Sequence, residues 1–185
     1  DSALYDVKNV AFGGTASAAR TAAGTTQMGL MAELFANTDR NFSEVTFNVT
    51  DGYVTVDPID VTVTIVGANN TTDYDGEEHS VSGYTATSNT KLYDVTKDFA
   101  FTGNALAARS QAGTTYMNLT AEQFTNKNAN FAKVTFNVTD GYQTIKPIDV
   151  TVTITGHHNT ATFDGKEHSV SGYTATASSK LYDVT

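Results

Sequence analysis

The strongest constraint on this chain is that it contains one 89-residue sequence slightly more than twice. Residues 8–96 align with residues 97–185 without a gap, and 59 of the 89 pairs are identical. Lys8 pairs with Lys97, Phe12 with Phe101, Arg20 with Arg109, Gly24 with Gly113 and His79 with His168. The motif Leu-Tyr-Asp-Val occurs at Leu4, Leu92 and Leu181. A period of 89 is too long for a solenoid repeat and suits a β domain with its own core. The chain is therefore expected to be a tandem array.

The stretch V-T-F-N-V-T-D-G-Y-x-T-x-x-P-I-D-V-T-V-T-I recurs at Val45–Ile65 and Val134–Ile154. Val45, Phe47 and Val49 alternate with Thr46, Asn48 and Thr50, the period of a half-buried strand. Asp51-Gly52 predicts a tight hairpin turn with positive φ, followed by a return strand from Tyr53 to Asp57. Pro58 lacks a ladder donor and marks where one sheet ends. After it, Val61, Val63 and Ile65 alternate with threonines.

Within one unit the expected strands are Val61–Val66, His79–Thr87 with Gly83 as a bulge, Leu92–Val95, Phe99–Phe101, Thr115–Leu119, Val134–Val138 and Tyr142–Ile145. Tyr74-Asp75-Gly76 is a turn signal. Residues 107–113 read as a small-residue connection. Thr120 and Gln123 form a capping-box pattern that predicts one helical turn burying Phe124. In the first copy Met31 stands where Thr120 does, so that cap is weaker. About seven short strands per unit predict an all-β chain of tandem immunoglobulin-like β-sandwich modules, each with one short helical turn. The alternative is a β-grasp-like α+β module. The proline break places the C-terminal part of one module at 1–58, a complete module at 59–147 and the N-terminal part of a further module at 148–185. The rival phase divides the chain into 1–90 and 91–185. Because the sequence starts in mid-pattern, it is expected to be a piece of a longer protein.

Composition narrows the function. With no cysteine, the chain has no disulfide, thiol nucleophile or Cys-ligated metal. A net charge of −9 with 11 scattered basic residues disfavours nucleic acid as a partner. No apolar run reaches the roughly 18 residues of a membrane span. Thr, Asn, Ser and Gly fill the polar positions, an extracellular bias.

The ordered set V-T-V-T-I-x-G, Y-D-G, A-G-T-T and F-N-V-T-D-G-Y-x-T-I-x-P resembles the YDG-type and MBG-type repeat modules of large bacterial surface proteins and adhesins. Tyr74-Asp75-Gly76 matches directly; Phe163-Asp164-Gly165 departs by one aromatic exchange. The likeness covers essentially the whole chain. It implies a tandem stalk or adhesin segment at the bacterial cell surface or secreted, with no catalytic residues to carry over.

Candidate sites weigh towards structural roles. Asp75, Glu77 and Glu78 offer oxygens for calcium, but the second copy has Asp164, Lys166 and Glu167, which places a cation in the cluster. A solvated turn is the expectation. His157-His158 points to opposite faces of a strand. His79 and His168 lie in Glu-His-Ser-Val-Ser-Gly-Tyr, without the separate segments of a catalytic triad or a G-x-S-x-G turn. Most aromatic residues fall at inward strand positions. Asn41, Asn48, Asn70, Asn118 and Asn137 open Asn-x-Ser/Thr triplets that follow from Thr- and Asn-rich strands. Lys8 or Lys97 with Asn48 or Asn137 would be the components of an isopeptide staple, but the asparagines are expected to face solvent. The expected protein is no enzyme, and it has no cofactor, metal site or catalytic residue. Its expected partners are neighbouring copies of the module, including head-to-tail strand complementation between chains into a filament. The alternative is a module that binds a glycan or a host protein. No nucleic acid and no membrane insertion are expected.

Overall fold

The computed structural model describes residues 4–184. The protein is all-β, with helical structure among the described residues limited to single 3-10 turns such as Val7–Asn9, Ala32–Leu34 and Ala121–Gln123. The strands before Pro58 are β1 (Val10–Phe12), β2 (Gly24–Gln27), β3 (Phe35–Asn37) and β4 (Tyr53–Val56). Next come β5 (Ile59–Gly67), β6 (Asn69–Asp73), β7 (His79–Ser82), β8 (Tyr84–Ser88) and β9 (Phe99–Phe101). They are followed by β10 (Leu106–Arg109), β11 (Gly113–Tyr116), β12 (Phe124–Asn126), β13 (Phe131–Thr139) and β14 (Tyr142–Lys146). After Pro147 lie β15 (Val152–Gly156) and β16 (Tyr173–Ala177).

These strands pair as β1-β3, β2-β4, β10-β7, β11-β14-β6, β12-β9, β13-β5-β8 and β15-β16. Every one of these ladders lies wholly within 1–58, 59–147 or 148–185.

By spatial contact the described residues form two compact units. One holds residues up to Val63 with Ser88–Ala100 and Thr125–Thr135. In it Tyr93 packs edge-on against Phe131, ring centres 4.9 Å apart, and Val61 and Val63 are buried. Phe12 stacks on Phe35 at 5.0 Å. The other unit holds Thr64–Thr87, Phe101–Phe124 and the residues from Phe136 onward. Its core is Ala107, Met117 and Leu119, packed by Val81, Tyr84, Phe101 and Val138. Phe124 contributes by stacking on Phe101 at 4.9 Å and Phe136 at 5.6 Å.

The predicted hairpin is not formed. β14 does not pair with β13; it pairs antiparallel with β11 and parallel with β6, in the register Tyr142↔Asn69 to Lys146↔Asp73. Neither Gly52 nor Gly141 has positive φ. Asp140 does not close a turn here. Its carboxylate accepts from the Asn118 and Leu119 amides, each at 3.0 Å. Asp51 does the same for Gly29 and Leu30. The chain runs on past Asp140-Gly141 as it runs on past Gly67-Ala68. The two segments cross there so closely that a Cβ on Gly141 would strike the Ala68 carbonyl oxygen, and one on Gly67 the Gly141 amide nitrogen. Glycine is required by close approach, not by turn geometry.

Two further expectations fail. Leu92–Val95 is a turn, held by Asp94 N–H donating to Asp98 and by the Tyr93 hydroxyl donating to the Asp98 carbonyl. Residues 107–113 are not mere connection, because β10 pairs with β7 from Leu106↔Ser82 to Arg109↔His79. The expected strand His79–Thr87 is interrupted at Gly83, φ +90°, which separates β7 from β8. The capping-box turn lies at Ala121–Gln123, with Gln123 Oε1 accepting from Thr120 N–H at 3.0 Å, and Phe124 is buried. Met31 provides no side-chain cap.

Candidate functional site

The Tyr-Asp-Gly turn is closed by its own side chains. Asp75 Oδ1 accepts from the Glu77 amide at 3.0 Å and lies 2.9 Å from His79 Nε2. The Glu77 amide, and after it the His79 ring, hold the exposed Asp75 carboxyl below the usual carboxylate range. The second copy repeats this with Asp164, the Lys166 amide and His168, at 3.0 and 2.9 Å. Asp75 thus serves the turn itself. Among the described residues no three His, Cys, Asp or Glu side chains gather as a metal site would require.

The remaining candidates are dispersed. His157 donates through Nδ1 to the Ser171 carbonyl at 3.0 Å, while His158 is exposed. Asn41, Asn48, Asn118 and Asn137 are exposed; Asn70 is half-buried and donates to Gln143 Oε1 at 3.1 Å. Lys97 Nζ lies 2.9 Å from Asp94, with its side chain 78% exposed, so the buried lysine of an isopeptide staple is not in place. Asp94 itself is held down to about 2, first by the Thr96 hydroxyl and then by Lys97.

Three structural roles are not apparent from the sequence. Arg109 folds back over its own loop, donating to the Gln111 and Ala112 carbonyls and to Thr115 Oγ1. Arg20 does likewise with Ala22, Ala23 and Thr26. Gly24 and Gly113, at φ +125° and +133°, leave room for those guanidinium groups. The Asp-His pairs and the buried Gln143 complete the set. The one sequence signal for the arginines and histidines is their recurrence at equal positions in both copies.

The feature with the greatest consequence is a difference between copies. Val134–Thr139 and Val45–Thr50 have the same sequence, yet the first lies in β13 and the second forms no strand. The counterparts of β10, β6 and β7 at 17–20, 158–162 and 168–171 also form no strand. All ten buried hydrophobic residues among those described lie between Val61 and Ile145. Ile65 is 0% exposed, but its equivalent Ile154 is 65% exposed.

Comparison with models of known protein families, with characterised proteins and with solved structures finds no match.

Proposed function

We propose that this chain is a non-enzymatic, load-bearing segment of tandem immunoglobulin-like β modules in a bacterial surface protein, with 59–147 as the complete module. The observation that carries the reading is the parallel ladder that joins the module's last strand, β14, to its second, β6. β6 and β14 run in the same direction, and the bonds Ile59 N–H to Asn130 O and Tyr142 N–H to Ala68 O extend that sense along β5 and β13. A module tethered through neighbours at its two ends would load this ladder in shear, across many hydrogen bonds at once, instead of unzipping them singly. The 89-residue repeat, the Thr- and Asn-rich composition and the resemblance to surface-protein modules support the same reading.

Two measurements test it. Residues 59–147 produced alone are expected to fold and melt cooperatively, whereas the rival phase requires 91–185 to do so. Stretching a tandem array of the unit should add about 270 Å per unfolding event, from 89 residues at about 3.6 Å less a folded ladder of about 45–50 Å. Unfolding without a measurable force, or increments of another size, argues against a load-bearing module.

A second reading, a glycan-binding module, is favoured by Tyr116, which is 56% exposed and lies edge-on 6.1 Å from Tyr142. Glycan-array binding that is lost in Tyr116→Ala would establish it.

A further inference from the structure

Resting on the 59–147 module but not on its location or its load, we propose that the loop before β11, together with the Tyr-Asp-Gly turn, is a docking surface. Its partner is the module that follows in the same chain. That module presents the leucine of Leu-Tyr-Asp-Val and the asparagine at the position of Asn130. Consecutive modules are then held by a side-chain joint as well as by the Pro-Ile-Asp connection.

Two joints within the chain carry the inference. At the one after β14, Tyr74, Gln111 and Ala112 line a hollow together with Pro147, Ile148 and Leu181. Leu181 reaches the turn itself, since a Cβ on Gly76 would lie 3.0 Å from Leu181 Cδ2. At the joint after β4, Ala23 and Val56 line a hollow together with Ile59, Leu92 and Phe131. There the Ala23 amide donates to Asn130 Oδ1 at 2.6 Å. Ala23 and Ala112, Ile59 and Ile148, and Leu92 and Leu181 are equal positions one period apart, so both joints use the same three positions.

Both sides of the joint are shaped by bonds within their own module. Arg20 donates to the Ala22 and Ala23 carbonyls, and Arg109 to those of Gln111 and Ala112. The arginines so brace the loop and leave the Ala23 amide for Asn130. The Tyr74 amide donates to the Lys146 carbonyl at 2.9 Å, which sets the turn beside Pro147. On the other side, the Tyr93 hydroxyl donates to the Asp98 carbonyl and Asn126 Oδ1, so the tyrosine turns inward and Leu92 outward. The Asn130 amide donates to Asn128 Oδ1 at 3.0 Å, as the equivalent Asn41 amide does to Asp39 Oδ1 at 2.9 Å. The asparagine is thus aimed by its own loop. A loose tether would separate the chain at its prolines. Instead, residues before Pro58 cluster with Ser88–Ala100 and Thr125–Thr135, and those after Pro147 with Thr64–Thr87 and Phe101–Phe124.

NMR on the full 185-residue chain tests this. Leu181 methyl protons should show Overhauser cross-peaks to Gly76. Gly76→Ala should shift the Leu181 methyl resonances. Gly165→Ala, at a similar positive φ but with nothing within 4 Å, should leave them in place. Leu181→Asp should shift the Gly76 amide without changing the melting midpoint of the 59–147 module. Asn130→Ala should move the Ala23 amide upfield, whereas Asn130→Asp, which keeps the accepting oxygen, should hold it downfield. Absence of the Leu181–Gly76 cross-peaks overturns the proposal, as does an Ala23 amide that does not respond to Asn130→Ala. Failure of 59–147 to fold alone would count against the module; loss of these signals while 59–147 folds would count against the joint alone.

Discussion

Replacing Ile65 and Ile154 in turn compares one residue in one sequence context with and without its partners. Both sit in Val-Thr-Val-Thr-Ile, but Ile65 is 0% exposed and Ile154 is 65% exposed. Ile65→Ala removes about three methylene-sized groups at ~0.8 kcal/mol each and leaves a cavity that adds roughly 1 kcal/mol, for a loss of about 3–4 kcal/mol. At 4–8 °C per kcal/mol for a unit of this size, the melting midpoint of the module should fall by roughly 15–25 °C. Ile154→Ala forfeits only the buried third of its surface, about 1 kcal/mol or less, and confined to the 148–185 segment. Urea unfolding followed by circular dichroism measures both. Equal losses would mean that 148–185 closes a core of its own, and the account of unpartnered strands would be wrong.

Gly141→Ala places a Cβ against the Ala68 carbonyl and should cost about 3 kcal/mol or prevent folding, whereas Gly156→Ala, with open space around it, should be close to neutral in the single chain; thermal melts of both variants decide this. The Asp94 carboxyl, held at about 2 chiefly by Thr96 and then by Lys97, favours the folded chain above the ordinary aspartate value of 3.8, and that contribution is lost as pH falls towards 2. An NMR titration should place its midpoint near 2 and move it upward more in Thr96→Val than in Lys97→Met. Millimolar calcium or chelator should leave the melting midpoint unchanged, and a rise of several degrees with calcium would reveal a ligand that binds the folded state.

The all-β class and the helical turn before Phe124 were legible in the sequence because they rest on local signals: alternation and the Thr120-to-Gln123 cap. The path through Asp140-Gly141 was not, because Asp-Gly serves a hairpin and a sheet crossing equally well. What selects the crossing is Gly67 on a distant strand and the Asn118 and Leu119 amides that Asp140 caps. Leu92–Val95 read as a strand from its apolar residues, but Asp94, Thr96 and Asp98 bond the backbone into a turn instead. Val45–Thr50 and Val134–Thr139 set the limit most plainly. Their sequences are identical, so propensity is identical, and only the second is a strand, because a ladder needs a second strand to accept its hydrogen bonds. The sequence alone determined which residues are able to form this β module; tertiary structure decided which copies of them do, since strand pairing is a property of two segments and not of one.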